Sequence, residues 1–347
     1  GTATMMAAEG AIYPVYQLME DAGEAFDPED YLAAVVGYYT TTDGRMLSMP
    51  FNSSTPVLYY NKEQFEAAGL DPESPPATWA EMSAAIDALQ DSGVPCGLTT
   101  GWQSWVHLEN FSAWHDVPLG TLENGFGGLA TELVFNETAA VDHIAMLGEW
   151  QQSKKFDYGG RRSDALPKFY SGECAFYTGS SASYAGVRAN VDFDFGVGML
   201  PYHADIAGAP QNSIIGGATL WPLAGHDQGD YAGVAKFFTY LSSPEVQADW
   251  HQSTGYLPIT YAAYELTQEQ GFYEKNPGTD VSIRQMTLNE PTANSKGLRF
   301  GNFVQIRDII NEELEAVWAG DKTAKEALDA AAARGNELLR RFEADNS

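Results

Sequence analysis

Basic residues are scarce in this chain of 347: 19 lysines and arginines stand against 47 aspartates and glutamates, a formal net charge of −28. A surface of that sign argues against nucleic acid and anionic membrane surfaces as partners. Long apolar runs are missing as well, and no stretch approaches the roughly 18 consecutive apolar residues of a membrane-spanning helix. Cysteine occurs twice, as Cys96 and Cys174. No CxxC pair or Cys/His cluster suggests a metal, so none is expected. Spacing alone leaves the two cysteines open between a bridge in an oxidising compartment and two buried thiols. The chain also lacks a GxSxG elbow, a Walker loop, HExxH and GxGxxG. Its histidines, His107, His115, His143, His203, His226 and His251, fall into no ligand spacing. No catalytic set and no cofactor is therefore expected. Carboxylates are close together simply because the chain is acidic, although a glycosidase-like pair from distant segments stays open.

What is present is ordinary globular material, 44% hydrophobic and 12% aromatic. The length allows two domains or one large α/β domain. The acid excess reads either as adaptation to salt, where counterions screen repulsion, or as the surface of a plain acidic protein. Helical periodicity runs through "NKEQFEAAG", "WAEMSAAIDALQDSG", "AVDHIAMLGEWQQSKKF", "FVQIRDIINEELEAVWAG" and "TAKEALDAAAARGNELLRRFEAD". Thr78 with Glu81 has capping-box spacing, and Gly320 closes a helix. Short apolar runs alternate with these helices, which implies an α/β protein with mostly parallel sheets.

Three strand-like segments share a design: "NSSTPVLYY", "CAFYTGSS" and "SIIGGATLW" join apolar residues to small polar ones or glycine. Any one of them is ordinary turn chemistry. Three together suggest backbone and hydroxyl donors gathered around a ligand at strand ends.

The stretch "YYNKEQFEAAGLDPESPPATWAEM" resembles the extracytoplasmic solute-binding proteins of ABC importers, the maltose-binding-protein class. "TGWQSW", "LENFSAWHD", "PQNSIIGGATLW", "HQSTGYLPIT", "QGFYEKNPG" and "KGLRFGNFVQIR" are similar to the branch of that class that binds sn-glycerol 3-phosphate. The resemblance runs the length of the chain. It implies a two-lobe periplasmic-binding-protein fold hinged about its ligand, exported to the periplasm and acting as a monomer with a membrane permease. One lobe would comprise residues 1–59 and 222–290, the other 60–221 and 291–347. Crossings between them are expected near Val57–Tyr60, Gly217–Trp221 and Glu290–Gly301. The chain begins "GTATMMAAEG" without an initiator methionine or signal peptide, and by this resemblance it reads as a copy truncated at its N-terminus, with the first lobe incomplete.

The resemblance also implies a ligand set. Ser54, Ser180 and the backbone N–H of Gly217 would donate hydrogen bonds, and Tyr256 would offer a phenol. Arg307 would supply the cation, and Trp102 would pack on the glycerol end, with Trp105 a lesser candidate in the same turn. A guanidinium among neutral donors suits a phosphate monoester or a glycerophosphodiester. Without the resemblance, the serines read as turn residues and the aromatics as core, while Arg307 would be salt-bridged to Asp308 or Glu312. The competing functions are an oligosaccharide-binding protein, a glycerophosphodiester hydrolase and a purely structural acidic protein.

Overall fold

The computed structural model describes residues 2–8, 10–41 and 43–347. Its strands form two sheets. β1 (Met49–Ser54) pairs with β6 (Gly216–Leu220). β2 (Pro56–Asn61), β3 (Cys96–Thr100), β4 (Cys174–Ser180) and β5 (Phe195–Gly198) form a second sheet in the order β3-β4-β2-β5. The expectation of mostly parallel sheets is corrected here. Among the strand pairs of the described residues only β3–β4 is parallel, while β1–β6, β2–β4 and β2–β5 are antiparallel. Parallel neighbours need a long crossover. The segment between β3 and β4 provides one, with helix Ala140–Ser153 in it. β2 enters its sheet directly from β1, with no helix between them.

The polar run before β2 is thus a strand. Asn52, Ser53 and Ser54 pair with Ala218, Gly217 and Gly216. Thr55 is where the chain passes from one sheet to the other. It is fully buried, and its hydroxyl bonds the Ser213 hydroxyl (2.7 Å) and the Ile214 carbonyl (3.0 Å). Val57–Tyr60, where this crossing was expected, lie wholly inside β2.

Two apolar cores explain the arrangement. One collects Val15, Val35, Met49, Ile215, Phe238, Leu257 and Met286. The other collects Leu58, Phe65, Leu108, Phe176, Ile214, Ile306, Ile310 and Leu339. Consecutive residues Ile214 and Ile215 serve different cores, so a second passage falls between them, just ahead of the expected Gly217–Trp221. Gln285, in helix Val281–Met286, joins the elements there through the Pro56 carbonyl (2.7 Å), the Ser213 hydroxyl (2.9 Å) and the Leu200 N–H (2.7 Å).

Local signals place the helices. The Thr78–Glu81 capping box opens Trp79–Asp91, and a second box, Thr323 with Glu326, opens Ala324–Asp345. Gly320, at φ +80°, ends Phe303–Ala319 and turns the chain into that last helix. Cys96 and Cys174 face each other across β3 and β4 with Cα atoms 4.4 Å apart and form a disulfide.

Four of the scattered histidines converge. His107 Nδ1 meets His143 Nε2 at 3.1 Å, His143 Nδ1 meets His203 Nε2 at 3.2 Å, and the His203 N–H donates to His115 Nε2 at 2.9 Å. Trp79 and Phe111 pack against the group. Burial pushes His107 down to about 3 and His115 down to about 4, and it also holds His143 and His203 low. In the unfolded chain each titrates near 6.5. Between those values the unfolded state binds more protons, so stability falls as pH drops below about 6.5. The expected result is a denaturation midpoint that declines between about pH 7 and about pH 5, above the range of ordinary carboxylates. A flat midpoint over that interval would show that the cluster carries no such linkage.

Candidate functional site

Ser54, Trp102, Ser180, Gly217, Tyr256 and Arg307, spread over more than two hundred positions of sequence, all line one cleft of about 940 Å³. Ser54 and Gly217 come from the β1–β6 ribbon, and Tyr256 from the loop after helix Pro244–Thr254. Ser180 ends β4, Trp102 follows β3, and Arg307 stands in the first turns of helix Phe303–Ala319. The cleft therefore lies between elements of the two cores.

Each wall has a local reason. Gly217 sits at φ +121°, and a Cβ there would lie 1.9 Å from the Asn52 carbonyl oxygen, so only glycine allows β6 this close to β1. Gly217→Ala is expected to destabilise the fold by about 3 kcal/mol from strain and overlap combined, read as a lowered denaturation midpoint. An unchanged midpoint would refute this account of the ribbon. At Gly216 a Cβ would meet the Trp105 ring at 2.7 Å, so glycine lets that indole lie on the strand. Tyr256 stacks on Trp250 with ring centroids 6.3 Å apart, and the next residue, Leu257, donates its N–H to the Ser53 carbonyl at 2.7 Å. The Ser180 hydroxyl accepts from the Ala182 N–H at 3.2 Å and caps the turn there.

Trp102 is 41% exposed and has φ +50°, an uncommon backbone state for a bulky residue. Its N–H donates to the Arg162 carbonyl at 2.8 Å, and the Arg162 guanidinium lies 6.0 Å from its ring centroid. Trp105 is buried, and its Nε1 has no partner among the described residues; the same holds for Asn52 Oδ1. Both residues line the cleft, and buried polar atoms of this kind call for an explanation such as a ligand.

Arg307 is engaged, but by neither Asp308 nor Glu312. Its Nε and Nη2 grip the two carboxylate oxygens of Glu109 at 2.7 and 2.6 Å. Asp308 lines the same cleft but makes no ion pair with Arg307, and Glu312 is held by Arg334 at 2.7 Å. Burial weakens the Arg307 charge, but the Glu109 carboxylate more than restores it and holds the guanidinium above its ordinary range. The Phe303 ring lies 4.9 Å below. Nη1 remains outside the pair.

Sequence reasoning missed Arg161, Arg162, Asp164, Asp308 and Asn311, which also line the cleft. Adjacent arginines after "YGG" in a chain so poor in base were the available signal. Arg161 grips Glu315 at 2.6 Å through each of Nε and Nη2, and Tyr158 donates to the same carboxylate at 2.8 Å. Glu315 lies eight residues beyond Arg307 on one helix, about 12 Å along its axis. No group of three or more His, Cys, Asp or Glu suited to a metal occurs among the described residues.

The model of the family described as bacterial extracellular solute-binding protein matches residues 1–279. The sn-glycerol-3-phosphate-binding periplasmic protein UgpB of Salmonella typhimurium is 55% identical over 344 residues, which cover 99% of this chain and 78% of that one. UgpB of Yersinia pseudotuberculosis is 54% identical over 347 residues, 100% of this chain and 79% of the relative. Among solved structures, UgpB from Mycobacterium tuberculosis in complex with glycerophosphocholine superposes with a TM-score of 0.78 at 23% identity, covering 98% of this chain and 82% of that one. Maltose-bound MalE3 of T. maritima gives 0.74 at 18%, covering 94% and 80%. At those identities the two structures establish the shared two-lobe fold.

Proposed function

This chain belongs to the bacterial extracellular solute-binding protein family, and from that premise we propose that it captures sn-glycerol 3-phosphate in the periplasm and hands it to the membrane permease of an ABC importer. One observation carries the reading: serine, tyrosine and glycine donors from separate segments meet around Arg307 in a single cleft, within a chain that has few cations to place there. Directional neutral donors beside a guanidinium suit a phosphate ester. Ser54, Ser180, the Gly217 N–H, Tyr256 and Arg307 bind the phosphate and its neighbouring hydroxyls, and Trp102 packs on the carbon skeleton. The part of the chain before Thr55 together with the segment from Ile215 to about residue 290, and the remainder of the chain, act as the two lobes that close on the solute, which moves both boundaries from the expected 59 and 221. The protein works as a monomer and catalyses no chemical step.

Calorimetric titration with sn-glycerol 3-phosphate, glycerophosphocholine and maltose tests this. Saturable heat is expected with the phosphate esters and none with maltose. Maltose binding in their place would favour the oligosaccharide reading. Sustained release of glycerol 3-phosphate from a diester by the pure protein, with or without divalent metal, would make it a hydrolase.

A further inference from the structure

The histidine cluster lies directly behind the cleft. His107 belongs to a π-helical turn, Trp105–Asn110, and stands in sequence between Trp105 and Glu109. Turns of that kind are rare and concentrate at functional sites. Trp105 lines the cleft, and Glu109 grips another lining residue, Arg307, with both oxygens. His107 instead reaches His143 through Nδ1 and the Thr100 hydroxyl through Nε2, each at 3.1 Å. Thr100 ends β3, and Trp102 follows it after one glycine. The cluster thus backs on to both segments that bring a tryptophan to the cleft.

The ring nitrogens are committed as neutral imidazoles. The contacts run in series from Thr100 through His107 and His143 to His203, so they converge on no point that a metal ion would occupy. His115 Nδ1 lies 2.8 Å from the Phe111 carbonyl and so carries the proton, while Nε2 accepts the His203 backbone N–H. A further proton on His115 would set N–H against N–H. His107, His115 and His143 are buried, and His203 is half-buried. Few charges act on the group. The exposed Asp205 acts on His203 and His115, and the exposed Asp142 on His203. Among the described residues no carboxylate acts on His107 or His143. Glu109, on the same turn, is paired with Arg307, and Lys155, against the Trp150 ring beyond Trp79, is paired with Asp87. A charge on the inner rings is therefore buried among Trp79 and Phe111 without a counterion, which is costly. Displacing the turn lets water in and restores the ordinary basicity of imidazole, about 6.5. The state with the turn in place binds fewer protons, so acid favours the displaced state.

We propose that the cluster of His107, His115, His143 and His203 is an acid-sensitive latch on the Trp105–Asn110 turn, so that the cleft releases its solute as the surroundings acidify. His203, half-buried and beside Asp142 and Asp205, is where the proton enters. The turn holds Trp105 at the cleft and Glu109 on Arg307, so loosening it removes the support of both. By reciprocity, solute binding expels protons in the range where acid weakens it. The inference rests on the phosphate-ester reading above.

The probe is glycerophosphocholine, because a monoester gains a proton of its own near about pH 6 and a diester does not. The test is calorimetric titration of the wild-type chain from about pH 8 to about pH 5, across the ordinary range of imidazole. The denaturation midpoint is recorded at each pH, so that only folded protein is compared. Affinity is expected to fall about tenfold over that interval, within the limit of about one decade per pH unit set by a single linked proton. Titration at the acid end in two buffers of different ionisation enthalpy should show protons released on binding. His203→Gln, which keeps a bond to His143 and does not titrate, is expected to bind as the wild type does at the alkaline end and to lose most of the slope. Should that variant fail to fold, hydrogen exchange of the Trp105–Asn110 amides in the wild type decides. Acid should strip their protection beyond the intrinsic change in exchange rate, and unchanged protection overturns the inference. A flat wild-type profile, or binding without proton release, overturns the inference and leaves the proposed function standing. A slope that His203→Gln keeps in full belongs to another group and also overturns it. If the ester binds at no pH, the proposed function fails, and this inference with it.

Discussion

Arg307→Ala is expected to weaken sn-glycerol 3-phosphate binding by about 2–5 kcal/mol, because a charged contact made in a desolvated cleft is lost. The structure adds a second consequence. Glu109 has no exposed surface and no other ion-pair partner among the described residues, so the substitution strands a buried carboxylate. That should cost about 3 kcal/mol of stability, at the lower end for a broken buried pair because Arg307 itself is only half-buried. Arg307→Lys should recover part of both losses, since a point charge replaces a planar fork that grips Glu109 with two bonds. A double variant, Arg307→Ala with Glu109→Gln, separates the effects: stability should return while affinity does not. Glycerol, which lacks the phosphate, should be almost indifferent to all of these changes. Equal binding of glycerol 3-phosphate by the wild type and Arg307→Ala would make the arginine structural, and the assignment of the phosphate site would fall with it.

Removing the Cys96–Cys174 bridge is expected to cost about 4 kcal/mol, the chain entropy regained by an unfolded state freed of a closure spanning 78 residues. The check is the denaturant midpoint of the oxidised protein against that of the reduced protein and of the Cys96→Ser, Cys174→Ser double variant. Affinity should survive in dilute buffer. Cys174 opens β4 and Ser180 ends it, which puts about 20 Å of strand between the bridge and the cleft. A midpoint unmoved by reduction would show that the loop is held in the unfolded state by something else. Loss of binding without loss of stability would show that the bridge positions Ser180.

Much of this protein could be read from its residues in order. Thr78 with Glu81 marked one helix start and Gly320 a helix end, and both are in place because caps are settled within four or five residues of chain. The strand at Cys174–Ser180 was legible for a similar reason: a short apolar run with polar ends carries its own pattern. The six residues named from the motifs line one cleft, and their contact with a ligand there is part of the proposal. Other features were out of reach. The polar run Asn52–Ser53–Ser54 looked like a turn, and only pairing with β6 makes it a strand. Strand direction depended on which strands became neighbours, and three of the four strand pairings are antiparallel. Histidines 36 and 60 positions apart gave no spacing signal, yet they touch. Glu109, 198 positions from Arg307, was one acid among many until the fold set it against the guanidinium. Caps, turns and periodicity are short-range and so were determined by the sequence itself; partners, charge balance and the cleft arise where distant segments are buried together, and burial decides which of many equivalent carboxylates and histidines matter.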